Sequence, residues 1–223
     1  MSDSMAGQAR RDDPHGGQPV RTAGTPLARA RAAMVMVHGR GATAESILEL
    51  APFLATEGVA FLAPQAGGGQ WYPYGFMAPI ERNEPGVSSG MRAIARVLDD
   101  VQAAGIPPER TLLLGFSQGA CLATEFAARH ARRYGGVACL SGGLIGPDGT
   151  PVFLGCSDVD AHIPEPRVRE SAEVLRRMGG EVTMRIYPGM AHTINDDEID
   201  EVRRMVEAAL DAGPGRARTA ADA

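Results

Sequence analysis

The chain is poor in several features that would each have marked a particular kind of protein. Cysteine occurs three times in 223 residues, at Cys121, Cys139 and Cys156, with no metal-type pair and no even-numbered framework. That excludes a zinc ribbon and a disulfide-stapled secreted domain. All three lie among apolar or small neighbours, where a free cysteine behaves as a small hydrophobe, so a reducing, cytoplasmic compartment is expected. Positive charge is not in excess: 22 Lys+Arg stand against 27 Asp+Glu, a formal net charge of −5. No basic footprint is left for nucleic acid or for stable attachment to an anionic membrane surface. Long apolar runs are missing too. Arg10 and Arg11 are followed by Asp12, Asp13, Pro14 and a polar run, which reads as neither a signal peptide nor a membrane span. Aromatic residues make up 5%, with a single tryptophan.

What remains is an ordinary globular composition, 44% hydrophobic and 22% charged. The length suits one domain with one sizeable core. Both ends are polar and Gly-rich, so residues 1–25 and 212–223 read as disordered tails around a domain at 26–211, with a short first strand near Val20 as an alternative. Between them, apolar runs at Met34–Val37, Val59–Ala63, Thr111–Gly115, Val137–Leu140, Val152–Leu154 and Val182–Tyr187 read as strands. Helical patterns begin near Thr43, Val87, Gln118, Pro166 and Asp196. The helix near Pro166 carries Val168, Ala172, Leu175 and Met178 on one face and stops at Gly179-Gly180. The last helix has Asn195 as its cap, Asp196, Asp197 and Glu198 at its positive end, and a stripe of Ile199, Val202, Val206 and Leu210. Fully apolar strands alternating with amphipathic helices predict an α/β fold: a mainly parallel sheet of about six to seven strands, covered on both faces.

Gly115-Phe116-Ser117-Gln118-Gly119 matches G-x-S-x-G in a strand-turn-helix setting, after Leu112-Leu113-Leu114 and before Ala120-Cys121-Leu122. That is the context of a nucleophile elbow, whose flanking glycines permit a tight turn and whose helix N-terminus favours developing negative charge. Five histidines compete as base. His15 falls in the polar tail, His130 at a helix end, His38 at a strand end and His162 in a loop. His192, between the last strand and the capped helix, fits the order nucleophile, acid, base. The acid belongs after the strand Val152–Leu154, where Asp158 and Asp160 are both placed for it and spacing does not separate them. Backbone N–H groups for an oxyanion are expected from Gln118, after the serine, and from Arg40 in Val37-His38-Gly39-Arg40-Gly41. The long stretch from about Gln65 to Pro85 holds Trp71, Tyr72 and Phe76, read as walls of an apolar substrate pocket. Packing beneath that loop is the alternative for each of them. Arg40 and Arg82 are cations that could attract an acidic substrate, with a merely solvated surface as the alternative.

With these motifs in place the chain resembles the phospholipase/carboxylesterase family of α/β hydrolases, which includes the acyl-protein thioesterases. The likeness runs from about Met34 to about Val206 and rests on His38-Gly39-Arg40-Gly41, Gly115-Phe116-Ser117-Gln118-Gly119, Asp160-Ala161-His162-Ile163-Pro164 and Gly189-Met190-Ala191-His192. The family's acid stands in a D-x-x-[IV]-P pattern, which Asp160 matches and Asp158 does not. Trp71-Tyr72-Pro73 is similar to a bacterial branch, whereas eukaryotic thioesterases carry W-[FY]-D there, a difference that weighs against acyl-protein substrates. The resemblance implies an α/β-hydrolase fold without a large cap domain, no cofactor and no metal, frequent homodimers, and a serine carboxylesterase acting on small to medium acyl or aryl esters. Thioesterase or lysophospholipase activity, a lactone hydrolase, and a non-catalytic small-molecule receptor on the same fold are the alternatives.

Overall fold

The computed structural model describes residues 12–54, 57–130, 132–142, 150–177 and 180–211. The outer tails, 1–11 and 212–223, lie outside the described residues, as do Met178 and Gly179. Seven strands form one sheet in the order β1-β3-β2-β4-β5-β6-β7. They are β1 (Val20–Gly24), β2 (Ala32–Val37), β3 (Val59–Pro64), β4 (Thr111–Phe116), β5 (Gly136–Leu140), β6 (Pro151–Ser157) and β7 (Glu181–Tyr187). Only β1 is antiparallel to its neighbour; the other six run parallel.

Side chains alternate between two layers along each strand. In β2, Ala33, Val35 and Val37 face α4 (Gly86–Ala103) and α5 (Gln118–Arg129), whereas Ala32, Met34 and Met36 face α1 (Ala44–Leu48), α2 (Ala51–Leu54) and α7 (Asp196–Asp211). Helix α6 (Glu165–Arg177) packs Val168, Ala172 and Leu175 against Val152 and Leu154 of β6, as its stripe predicts. A one-turn helix, α3 (Ile80–Asn83), and α2 are the two that the periodicity did not signal, being too short to show it. Among the described residues no separate cap domain stands over the sheet, and no helix is long and apolar enough to cross a membrane.

The expected N-terminal tail needs correction. Residues 12–25 are part of the domain. Strand β1 pairs with β3, Arg21 opposite Ala63, and Asp13 lies between Arg92 at 3.3 Å and Arg96 at 3.5 Å of α4. Edge pairing is made by backbone groups and asks little of side chains, four of the five β1 residues being exposed. A polar composition therefore left it readable only as the alternative, the short first strand near Val20, which is the one observed.

Order at the sheet's carboxyl edge begins with the caps. Thr43 and Ser46 form a reciprocal capping box on α1. On α7, the Glu198 N–H donates to Asn195 Oδ1 at 2.9 Å and the Asn195 N–H donates to Glu198 Oε2 at 2.9 Å. The expected cap is present, but Glu198 is not a surface acid. Its side chain is fully buried, Oε1 has no partner, and a Cβ on Gly155 of β6 would fall 2.0 Å from it. Burial pushes the Glu198 carboxyl up to about 7. A carboxyl raised in the folded state confers stability below its unfolded value near 4.5 that is lost as pH rises through about 7. Glu198→Gln is therefore expected to be more stable than the parent at pH 8, by roughly 1–3 kcal/mol, with the gain shrinking toward pH 5. Thermal melts at both pH values check this, and a pH-independent difference contradicts it.

Candidate active site

Strand order reverses at β2, with β3 leaving on one side and β4 on the other. Open α/β sheets bind ligands outside the carboxyl ends at such a point. All the loops singled out in the sequence leave the sheet at this edge: 38–42 after β2, 65–76 after β3, Ser117 after β4, 158–163 after β6 and 188–195 after β7.

Ser117 has φ 53° and ψ −118°, a left-handed conformation disfavoured for any residue with a Cβ. Strain of this kind costs roughly 1–3 kcal/mol and is held only by its surroundings. The surroundings here are steric and hydrogen-bonded. A Cβ on Gly115 would lie 2.4 Å from the Gly119 carbonyl oxygen, and the Ser117 N–H donates to the Leu140 carbonyl of β5 at 2.9 Å. Gln118 opens α5, so its N–H is one that helix geometry leaves without an intrahelical acceptor. The Arg40 N–H takes no part in the bonds holding its neighbours, Gly41 N–H to Gly69 O at 2.7 Å and Ala42 N–H to Gly39 O at 3.2 Å.

Asp160 and His192 are brought together. The His192 Nδ1–H donates to Asp160 Oδ2 at 2.7 Å, and the carboxylate side chain is fully enclosed. Asp160 Oδ1 accepts the backbone N–H groups of His162 at 2.8 Å and Ile163 at 2.9 Å. Burial pushes this carboxyl up, but the His192 bond and the two amides outweigh it and hold it below the usual range, ionised. With Nδ1–H committed, His192 Nε2 is left as the acceptor. Asp158 does not touch the ring; its Oδ1 accepts the Gly189 N–H at 2.7 Å and so ties down the loop that carries His192.

Ser117 and His192 line one cavity of about 340 Å³, together with Gln118, Tyr72, Phe76 and Ile163. No hydrogen bond joins the hydroxyl to the ring; such bonds commonly tighten only with substrate. Beside it lies a chamber of about 110 Å³ that shares Tyr72, Phe76 and Cys121. Trp71, expected as a wall residue, is fully buried and lines neither cavity. Its indole N–H donates to the His38 carbonyl at 2.8 Å, and its ring sits 5.1 Å from both the His15 and the His38 rings. A tryptophan whose N–H finds a backbone acceptor packs under the loop at little cost. Arg82 stands 4.4 Å over the Tyr74 ring, and the Arg40 guanidinium is bonded to loop backbone.

The phospholipase/carboxylesterase family matches residues 24–210. The chain belongs to that family. As a member it is a hydrolase of the carboxylesterase and thioesterase kind. A phospholipase/carboxylesterase from Dyadobacter fermentans is similar in structure, with TM-score 0.81 and 42% identity over 86% of this chain and 97% of that one. The acyl-protein thioesterase 1 of Saccharomyces cerevisiae is 25% identical over 81% of this chain and 94% of its own length. A Gibberella zeae protein of the same name is 29% identical over 144 residues, 58% of this chain and 61% of that protein.

Three histidines that the sequence reading set aside as bases have other places around this candidate site. His162 is exposed in the cavity with its ring 4.7 Å from that of His192, a place its position two residues after Asp160 could have suggested. His15 gave no signal at all. Its Nδ1 accepts the Gly67 N–H at 3.0 Å while Nε2–H donates to the Trp71 carbonyl at 2.9 Å; His38 Nε2 accepts the Ala66 N–H at 3.1 Å while Nδ1–H donates to the Gly39 carbonyl at 2.8 Å. Each ring must be neutral to accept, and burial holds both below the ordinary value of 6.5. The unfolded chain then binds more protons, so this anchorage is complete above about pH 6.5 and is lost as pH falls toward the folded values. Because the chain has one tryptophan, emission from Trp71 reads this loop directly. Its emission is expected to change on acidification below about pH 6.5 before far-UV circular dichroism collapses; coincident transitions would count against anchorage by the two histidines.

Proposed function

We propose that the chain is a serine esterase that hydrolyses small to medium acyl or aryl carboxylic esters through an acyl-enzyme, in the cytoplasm and without a cofactor. The observation that carries this reading is the bond from His192 to the enclosed Asp160 carboxylate, made in the same cavity that holds the strained Ser117.

His192 Nε2 takes the proton of Ser117 as its oxygen attacks the ester carbonyl, and Asp160 stabilises the imidazolium that results. The amides of Arg40 and Gln118 receive the oxyanion, each such donor contributing about 3 kcal/mol. Collapse expels the alcohol, which takes the proton back from His192. Water then repeats the sequence on the acyl-enzyme and releases the acid. Tyr72 and Phe76 form the apolar wall for the acyl or aryl group, and a cavity of about 340 Å³ supports small to medium substrates. The names of the yeast and Gibberella relatives favour thioesters as a second reading, since the same constellation expels a thiolate equally well.

Purified protein treated with a fluorophosphonate probe is expected to carry the adduct on Ser117, and Ser117→Ala to lose both label and ester turnover while keeping its fold. A folded Ser117→Ala protein with parental turnover sinks the assignment. Asp160→Asn is expected to lower kcat by about 10³–10⁴-fold and Asp158→Asn by far less, since Asp158 holds only the loop. Equal losses in the two would reverse our choice between them. Matched p-nitrophenyl esters and acyl thioesters of the same chain length separate the two substrate classes by kcat/KM.

A further inference from the structure

Arg40 is flanked by Gly39 and Gly41, the latter at φ 76°, so the backbone that aims its N–H has little stiffness of its own. An oxyanion donor nevertheless has to be held to within about half an ångström. The restraint is in the Arg40 side chain. Its Nη1 donates to Gln70 Oε1 at 2.8 Å and to the Pro73 carbonyl at 2.9 Å; its Nη2 donates to the carbonyls of Tyr72 at 2.9 Å and Tyr74 at 2.7 Å. All four acceptors belong to the 70–74 segment of the substrate wall. Gln118 reaches into the same segment, Nε2 donating to the Tyr72 carbonyl at 2.8 Å and Oε1 accepting the Trp71 N–H at 2.9 Å. The two residues to which we assign the oxyanion amides thus both use their side chains to grip one loop.

We propose that the Arg40 guanidinium is a positioning residue: it fixes the direction of its own backbone N–H by clamping four oxygens of the 70–74 segment, making wall and oxyanion hole one rigid unit. This rests on the serine-esterase reading above. The clamp depends on a planar fork. Lysine keeps the charge but presents three donors from one nitrogen and cannot span four acceptors arranged around two. A loosened residue 40 leaves the donor in the chain but misaimed, which damages the transition state more than the ground state.

The test is Arg40→Lys, measured with p-nitrophenyl acetate, whose methyl group hardly reaches the wall, and with p-nitrophenyl hexanoate. We expect kcat to fall about tenfold or more on both esters, with KM for acetate within about twofold of the parent. Affinity for a trifluoromethyl ketone analogue should fall in proportion to kcat/KM. An acetate kcat within about twofold of the parent, with only the hexanoate KM raised, overturns the proposal, because the fork would then shape the wall alone. Should Arg40→Lys lose native circular dichroism, Gln70→Ala takes its place. It removes one acceptor at an exposed position and is expected to give the same pattern at about two- to threefold size; an unchanged acetate kcat in it overturns the clamp. Fluorophosphonate labelling of the parent separates the two possible failures. No label on Ser117 removes the serine reading and the clamp with it, whereas normal labelling with unchanged kcat in the variants removes the clamp alone.

Discussion

Helix α5 starts so close to the end of β2 that a Cβ at residue 119 would lie 2.2 Å from the Val37 carbonyl oxygen and 2.4 Å from that of His38. Nothing larger than glycine fits there. The contact seats the first turn of α5 on the carboxyl end of β2, so that Ser117 and Gln118 stand beside residues 38–41. The positive φ of Ser117 and the reach of the Gln118 side chain into loop 70–74 are found at the same junction. Interiors packed to crystal density do not relax around an added methyl group. A larger residue at 119 would push the start of α5 away from β2.

Around this contact the protein spends buried polar groups freely. His15, His38, Gln118 and Asp160 are all enclosed; the first three direct their side-chain bonds at loop backbone, and Asp160 divides its own between loop backbone and the His192 ring. Buried polar groups are costly unless bonded, so fully bonded ones select one loop conformation over its competitors. Aliphatic packing alone would tether these Gly-rich loops less specifically. Order in the loops comes from directional bonds, while the sheet and its helices are held by apolar area.

The sheet and most helices were legible in the sequence because their signals are local. Apolar runs of the right length and amphipathic stripes mark β2 to β7 and α4 to α7 without knowledge of partners. The G-x-S-x-G turn was legible for the same reason, its glycines lying within two residues of Ser117. Other features depend on what a residue meets across the fold. Asp158 and Asp160 look alike along the chain and differ only in facing Gly189 N–H or the His192 ring; the family pattern, not spacing, singled out Asp160. Trp71 read as a wall because aromatics in a long loop usually are, yet an acceptor at His38 draws it under the loop. Strand β1 was readable only as the alternative near Val20, and the His15 anchor was hidden in the same polar segment, since edge pairing and a single histidine leave no periodic trace. Glu198 passed as one of three acids suited to a helix start, and only its neighbour Gly155 reveals the burial.

That last pair has an evolutionary consequence. The space a side chain would occupy at 155 is taken by the Glu198 carboxyl, so the two positions are not free to drift independently. A relative that acquires alanine at 155 must shorten or displace the acid at 198, and one that keeps the acid in this place must keep glycine. Substitution at either site is expected to be epistatic on the other, although they stand 43 positions apart along the chain. Covariation between them across the family would be the footprint of a single atom with nowhere else to go.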